Sequence, residues 1–349
     1  MKIYNRKIDV VIPAYNVPDH ILYRCLASIA CQDILNELEV TIVDDASTQQ
    51  NYAEIIRRFK PFMKINLLRY EVNGGPGVAR QYGIDHTQNG YLTFIDADDT
   101  LNGAFALKAL RNGIEMQNNV FQMCVGVFDE VHESELPPGE GPMLMAHEQD
   151  MVWMFGKLYR RSFIDRYNIR FHETSRANED NGFNTICRLC SSDQEPINFI
   201  AAHVYYWHEN LNSITRINDC QYSYGGSDRD SFYGFVENMI YAIKEAKKRK
   251  PYNGLIAMWA VTCLVNLYEY YLEVVSRAPD SAEQNWKHCQ RYYDEVYSMY
   301  DADISNDILA EHYNETMRNA YFSDKLTGII PTIGFYDFLD NLRPSTYRI

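Results

Sequence analysis

The sequence predicts an α/β protein, a mostly parallel, doubly wound sheet followed by an α-helical C-terminal domain. Two observations lead there. From Lys7 to about residue 126, short β-branched or aromatic runs alternate with amphipathic stretches, the βαβ pattern of a parallel sheet covered by helices. Beyond about Asn218 the texture changes to long stretches with helical spacing, and most of the 27 tyrosines fall there. The 349 residues exceed what one small core needs, and the expected division is residues 1–215 and 216–349.

Taken in order, Ile8–Pro13, Glu39–Val43, Ile65–Tyr70 and Tyr91–Ile95 read as strands. Between them Ile21–Ile29, Tyr52–Phe59 and Gly77–Ile84 set apolar residues at helical spacing. Leu136–Pro142, LPPGEGP, carries enough Pro and Gly to forbid regular structure. Trp153–Phe171 reads with helix character around a basic LYRRSF turn, and Ile197–Trp207 as a further strand. Phe232–Lys248, Leu255–Val275, Gln284–Tyr300 and Ile304–Ala320 are the long helices expected of the second domain. In such sheets ligands bind outside the carboxyl ends of the strands, so the loops after the first four strands are where chemistry belongs.

Lys+Arg 33 against Asp+Glu 47 gives a net charge of −14. A field of that sign does not attract polyanions from a distance and argues against a passive nucleic-acid coat, although a local basic groove stays open. The first ten residues hold no apolar run of signal-peptide length. Leu255–Val275 is interrupted by Asn266, Glu269 and Glu273, so it reads as a buried helix and no membrane span is expected. Eight scattered cysteines suit reduced thiols, and a cytoplasmic protein is the expectation. Cys187 and Cys190 form a CxxC without the second pair of a metal site. Lys244–Lys250, KEAKKRK, is a charged helix end favoured by the macrodipole.

Four segments carry the chemistry. Val11–Asn16, VIPAYN, is a buried strand whose Pro13 stops the ladder, leaving Tyr15 and Asn16 at the carboxyl edge. Ile42–Ser47, IVDDAS, ends a strand in two carboxylates that point to opposite faces, so one of Asp44 and Asp45 can meet a ligand while the other holds the turn. Asn73–Arg80, NGGPGVAR, offers glycines for positive φ, Pro76 for a first helical turn and unpaired N–H groups to an anion. It lacks the GK[ST] ending of a P-loop. Phe94–Asp99, FIDADD, gathers three carboxylates that raise one another's pKa unless a cation neutralises them. Mg²⁺ or Mn²⁺ suits such oxygen ligands, with substrate phosphates completing the shell.

In this order and at these spacings the four segments resemble the family 2 glycosyltransferases of the GT-A, nucleotide-diphospho-sugar transferase fold. Trp153–Arg161, WMFGKLYRR, Asn178–Asp180, NED, and Tyr205–Thr215, YYWHENLNSIT, extend the resemblance to about residues 7–215. The resemblance implies that Asp44 or Asp45 meets the uracil or other base of a nucleotide-sugar, with Pro13, Tyr15 and Arg80 beside that nucleotide. It implies Asp96 near the ribose, Asp98 on a divalent metal that bridges the diphosphate, and Asp180 as the general base of an inverting reaction. Lys157, Asn212 and Ser213 are implied contacts of the donor or its diphosphate. His208 departs from the family's usual residue and is assigned as a metal ligand. The implied function is metal-dependent transfer from a UDP-sugar donor to an acceptor, with the helical domain a candidate acceptor-binding part.

The chemistry asks for the same parts. A hydroxyl attacking an anomeric carbon needs a base for its proton and a device to neutralise the departing diphosphate. Metal and helix amides serve the second need. The acceptor expected is a glycan. The alternative acceptor is hydroxymethylated DNA, as for a bacteriophage enzyme, with Lys244–Lys250, Arg160 and Arg161 as candidate contacts. A non-catalytic nucleotide-sugar-binding protein is the reading from another class; it would retain donor and metal without turnover. A nucleotidyltransferase would need a basic Gly-rich signature near the first strand, which Val11–Asn16 lacks. Oligomeric state is not readable from scattered aromatic residues.

Overall fold

The computed structural model describes residues 4–132, 143–174, 178–209, 234–251, 255–277, 282–300, 311, 314 and 333–342. At its centre lies β1 (Ile8–Ala14), whose apolar run is buried along almost its whole length, as a strand covered on both faces must be. β2 (Leu38–Asp44) and β4 (Tyr91–Phe94) flank it in parallel, with Ile8 opposite both Leu38 and Tyr91. β3 (Lys64–Arg69) adds to β2, also in parallel. The loops after these four strands therefore emerge at one edge, as the alternating pattern predicts.

The other half of the sheet departs from that pattern. β6 (Met123–His132) is a ten-residue strand that the βαβ reading leaves unassigned. β8 (Lys157–Arg160) pairs antiparallel with both β4 and β6. β9 (Ile197–His208) pairs in parallel with β6, β5 (Thr100–Leu101) antiparallel with β9, and β7 (Met143–His147) antiparallel with β6. The order is β3-β2-β1-β4-β8-β6-β9-β5, with β7 on β6. The expected helix character of Trp153–Phe171 is corrected here. Lys157–Arg160 is strand and α5 (Arg161–Tyr167) is helix, because Leu158 and Tyr159 are wholly buried between two strands that supply ladder partners on both sides.

The helices cover this sheet. α1 (Asp19–Ala30) starts behind Pro18, has Asp19 in its first turn and buries Leu22, Cys25, Leu26 and Ile29. That stripe at i, i+3, i+4 and i+7 faces the core, each side chain contributing about 1.5–3 kcal/mol. α2 (Ala53–Phe59) follows β2, and α3 (Pro76–Asp85) follows β3. Gly75 enters α3 at φ +89°, where a Cβ is strained. Within α3, a Cβ on Gly83 would stand 2.4 Å from Cγ1 of Val11, so the helix backbone lies directly against β1. α4 (Ala106–Asn119) and α6 (Glu179–Cys190) complete this part.

The chain divides into two units, Met1–Ser213 and Ile214–Ile349. The second contains α7 (Gly234–Arg249), α8 (Leu255–Arg277), α9 (Ala282–Tyr300) and α10 (Phe335–Leu342). Of the helix expected at Ile304–Ala320 only Glu311 and Asn314 are described, both helical, and the LPPGEGP loop lies outside the described residues. α8 packs on α7 and α9. Its Leu255–Glu273 stretch is long and apolar enough to cross a bilayer by length and composition, with mean hydropathy 1.3, yet 67% of that stretch is buried in the protein, as in a core helix.

Gly83→Ala raises intrinsic helix propensity by about 1 kcal/mol. Its methyl group nevertheless has to displace Val11, and a net loss of about 1–3 kcal/mol is expected, read as a lower urea midpoint at unchanged m-value. An unchanged or higher midpoint would contradict so close an approach of α3 to β1.

Candidate active site

The loops after β1, β2 and β3 are tied together by their own polar groups. Asn16, at φ +52°, accepts through Oδ1 from the N–H groups of Thr48 (2.9 Å) and Gln49 (2.8 Å), and its own N–H donates to Ser47 Oγ (2.9 Å). Asp44 accepts from the Ser47 N–H at 2.8 Å and pairs with Arg69. Asp45 faces the other way, as alternation on a strand requires. It accepts from Gly74 N–H (2.7 Å), Gly75 N–H (2.8 Å) and Asn73 Nδ2 (3.0 Å). The anion at those two glycine amides is thus the protein's own Asp45. Both aspartates are buried, Pro13 is half-buried and Tyr15 is 48% exposed beside them.

The acid loop after β4 divides its carboxylates. Asp99 is buried, accepting from Tyr205 O–H (2.7 Å) and the His208 N–H (2.9 Å). Burial, and then the charges of Asp98 and Asp96, push its carboxyl well above the usual range. Asp96 accepts from Arg80 at 2.6 Å, and its N–H donates to Tyr205 Oη at 3.1 Å. Asp98 is half-buried, its carbonyl held by Arg24 at 2.6 Å. His208 stands at the end of β9, its Nε2 2.9 Å from Thr100 Oγ1. Burial and the nearby Arg24 charge lower its pKa to about 4, so the ring is neutral at pH 7, the form that can ligate a metal.

Across the edge stands the first turn of α6. Arg80 is 4% exposed and donates to Glu179 Oε1 at 2.5 Å with one arm and to Asp96 with the other, while its buried Nε–H has no hydrogen-bond partner among the described residues. This guanidinium joins α3, the acid loop and α6. A Cβ on Gly77 would stand 2.8 Å from Glu179 Cγ, so α3 and α6 meet closely. Asp180 follows, its Oδ1 accepting from the Asn181 N–H at 2.7 Å. Burial first, then the charge of Glu179, push the Asp180 carboxyl up to about 8, against the opposing charge of Arg80.

Lys157 lies apart from this edge's surface. Its side chain is wholly buried and donates to Asp150 Oδ1 and the Phe155 carbonyl, both at 3.2 Å. Asn212 and Ser213 lie outside the described residues. The basic groups named for DNA are engaged within the protein: Arg161 with Asp9, Arg160 with the Phe121 carbonyl, Lys244 with Glu295, and Lys248 and Arg249 with Glu245. Arg24, which holds the acid loop, carries no motif that sequence reasoning recognises, and Tyr205 was legible only as the first residue of the Tyr205–Thr215 segment, without its role. Glu179 was legible only as the neighbour of Asp180.

A divalent metal fits the donor set here only in part-shell form. Among the described residues no group of three or more His, Cys, Asp or Glu side chains is placed to hold a metal. Asp99 and Asp96 serve Tyr205 and Arg80 and His208 Nε2 meets Thr100 Oγ1, so the residues named for the cation, Asp98 and His208, would supply at most a small share of its shell. Oxygen-preferring cations accept so small a protein share when phosphates supply the rest.

Residues 9–177 match the family "Glycosyl transferase family 2", and over those residues the chain belongs to the family 2 glycosyltransferases, with the GT-A fold. It is similar to the uncharacterized glycosyltransferase EpsJ of Bacillus subtilis (strain 168), 25% identical over 60% of this chain and 63% of that one. The poly(ribitol-phosphate) beta-glucosyltransferase of Bacillus spizizenii is 26% identical over 70% of this chain and 38% of its own length. The chain thus spans less than two thirds of either relative. Staphylococcus aureus TarS 1–349 in complex with UDP-GlcNAc superposes with a TM-score of 0.64 at 19% identity, covering 91% of this chain and 92% of that one, a likeness of fold.

Asp45→Ala removes the acceptor of two glycine amides. The expected loss is about 1–3 kcal/mol, seen locally as hydrogen exchange at Gly74 and Gly75 faster by roughly tenfold or more. Unchanged exchange there would show that Asp45 does not hold the loop.

Proposed function

We propose that this chain is an inverting glycosyltransferase that moves a sugar from a UDP-sugar to a hydroxyl of a glycan acceptor, aided by Mn²⁺ or Mg²⁺. The observation that carries the reading is Asp180, a half-buried carboxyl in the first turn of α6 whose pKa is pushed up to about 8, next to the Glu179–Arg80–Asp96 bridge to the acid loop. A base works best when its pKa lies near the operating pH, and burial beside Glu179 supplies that shift. Membership of the family over residues 9–177 supports the reaction class, and the complex of TarS with UDP-GlcNAc supports a nucleotide-sugar donor.

In this reading Pro13 and Tyr15 border the base, and Asp44 or Asp45 accepts from it. Asp96 meets the ribose while its other oxygen stays on Arg80, whose positive charge is kept inside the site by two carboxylates. Asp98 and His208 would hold the cation, which when bound neutralises charge on the leaving diphosphate. Asn212 and Ser213 are proposed for the diphosphate, and Lys157 acts by pinning the 150–156 segment. Asp180 Oδ2 accepts the proton as the acceptor oxygen bonds to the anomeric carbon. The bond from that carbon to the diphosphate oxygen breaks, and UDP leaves with the electron pair. One displacement inverts the anomeric centre.

Asp180→Asn is expected to retain UDP binding, by calorimetry, while turnover falls about 10²–10⁴-fold; a near-normal rate would move the base elsewhere. The proton-accepting form of Asp180 grows as pH rises through its pKa. Wild-type kcat/KM should therefore climb between pH 6.5 and about 8 and level off above. The residual rate of the variant should lack that limb.

A further inference from the structure

Glu179 and Asp180 follow one another on α6 and so diverge by about 100° around the helix. Glu179 meets Arg80 of α3. The Asp180 face, continued one turn on by Asn184, meets the segment before β8 instead. Asn184 Nδ2 donates to the carbonyls of Trp153 (2.8 Å) and Val152 (3.1 Å), and Tyr159 O–H donates to Asn184 Oδ1 at 2.6 Å. Asp150 Oδ1 accepts from the N–H groups of Trp153 (2.9 Å) and Val152 (3.1 Å) and from Lys157 at 3.2 Å. Trp153 is therefore held at both backbone ends within about one helical turn of the residue read as the base.

Its side chain is just as ordered. The Trp153 ring stacks on Phe155 with centroids 6.1 Å apart and planes 12° apart, and Phe155 stacks on Tyr205 at 5.2 Å and 18°. Tyr205 ends the pile at Asp99. Phe155 and Tyr205 are buried, yet Trp153, the outermost ring, is 38% exposed. One indole face is backed by Phe155. A large aromatic ring fixed in this way and left partly in water, on the segment that Asn184 ties to α6 one turn on from Asp180, has the form of a binding platform rather than of a core residue.

We propose that the face of the Trp153 indole opposite Phe155 seats a pyranose ring of the acceptor, an uncharged saccharide unit whose hydroxyl then faces Asp180; the inference rests on Asp180 being the base. The C–H face of a pyranose is weakly positive and meets the negative face of the ring. A phosphate-bearing polyol chain has no such complement. Residues 143–156 contain no Lys or Arg but do contain Glu148 and Asp150, and Lys157 beside them is buried on Asp150. Acceptor choice on this flank thus favours a neutral ring.

The test is a titration that needs no turnover. The chain has four tryptophans, so indole N–H resonances of the full-length Asp180→Asn protein labelled at tryptophan resolve singly, and Trp153→Phe assigns the one of interest. Methyl glycosides of glucose, N-acetylglucosamine and galactose are added in turn, and ribitol 5-phosphate is the acyclic, charged comparison. At least one pyranoside should shift the Trp153 resonance, with Kd weakened roughly tenfold in Trp153→Ala and nearly restored in Trp153→Tyr, while the Kd for UDP stays unchanged. No shift with any pyranoside, a preference for ribitol 5-phosphate, or equal weakening of UDP in Trp153→Ala would overturn the proposal. Loss of the base reading would show separately, as normal turnover in Asp180→Asn.

Discussion

A single buried guanidinium organises this site. Arg80 lies almost wholly out of water and is tolerable there because two carboxylates from different elements, Glu179 and Asp96, each take one of its arms. Removing one partner of a buried pair costs about 3–5 kcal/mol, because the remaining charge is left without compensation. The pairing therefore fixes the first turn of α6 relative to the acid loop and α3. Asp180 inherits its place from that bridge. Its raised pKa comes first from burial and then from the charge of Glu179, with Arg80 opposing both.

Around the bridge, the carboxylates of the three acidic segments do different kinds of work. Asp45 and Asp99 satisfy buried N–H and O–H groups of the protein itself, and Asp44 holds a turn and Arg69. Asp98 and Asp180 are the carboxylates that the proposed reaction assigns to the cation and to the acceptor proton. Division of this kind follows from the cost of leaving buried amides unpaired. It also explains why so acidic an edge holds together: most of its negative charge already has a donor.

The parallel half of the sheet was legible because β1, β2, β3 and β4 are short apolar runs separated by helical spacing, with carboxylates and glycines at their ends. Those ends placed Asp44, Asp45, Arg80, Asp96 and Asp98 at one edge before any coordinates. In the other half only Ile197–Trp207, within β9, was legible. Lys157–Arg160 is four residues long and flanked by basic residues, and only its pairing between β4 and β6 makes it strand. Nor could sequence tell which aspartate serves the protein, because the groups that decide it, Tyr205 and the His208 N–H, stand more than a hundred residues from Asp99. Local pattern carries the frame of this site, and distant partners assign its charges.

The central claim is that this edge carries metal-assisted transfer from a UDP-sugar. UDP release from a panel of UDP-sugars, with Mn²⁺, with Mg²⁺ and with chelator, tests it most directly when Asp98→Ala is the blank. The account predicts release from one donor that requires the cation and is lost in the variant. Equal release with chelator or from Asp98→Ala, or none from any donor although UDP binds, would contradict it.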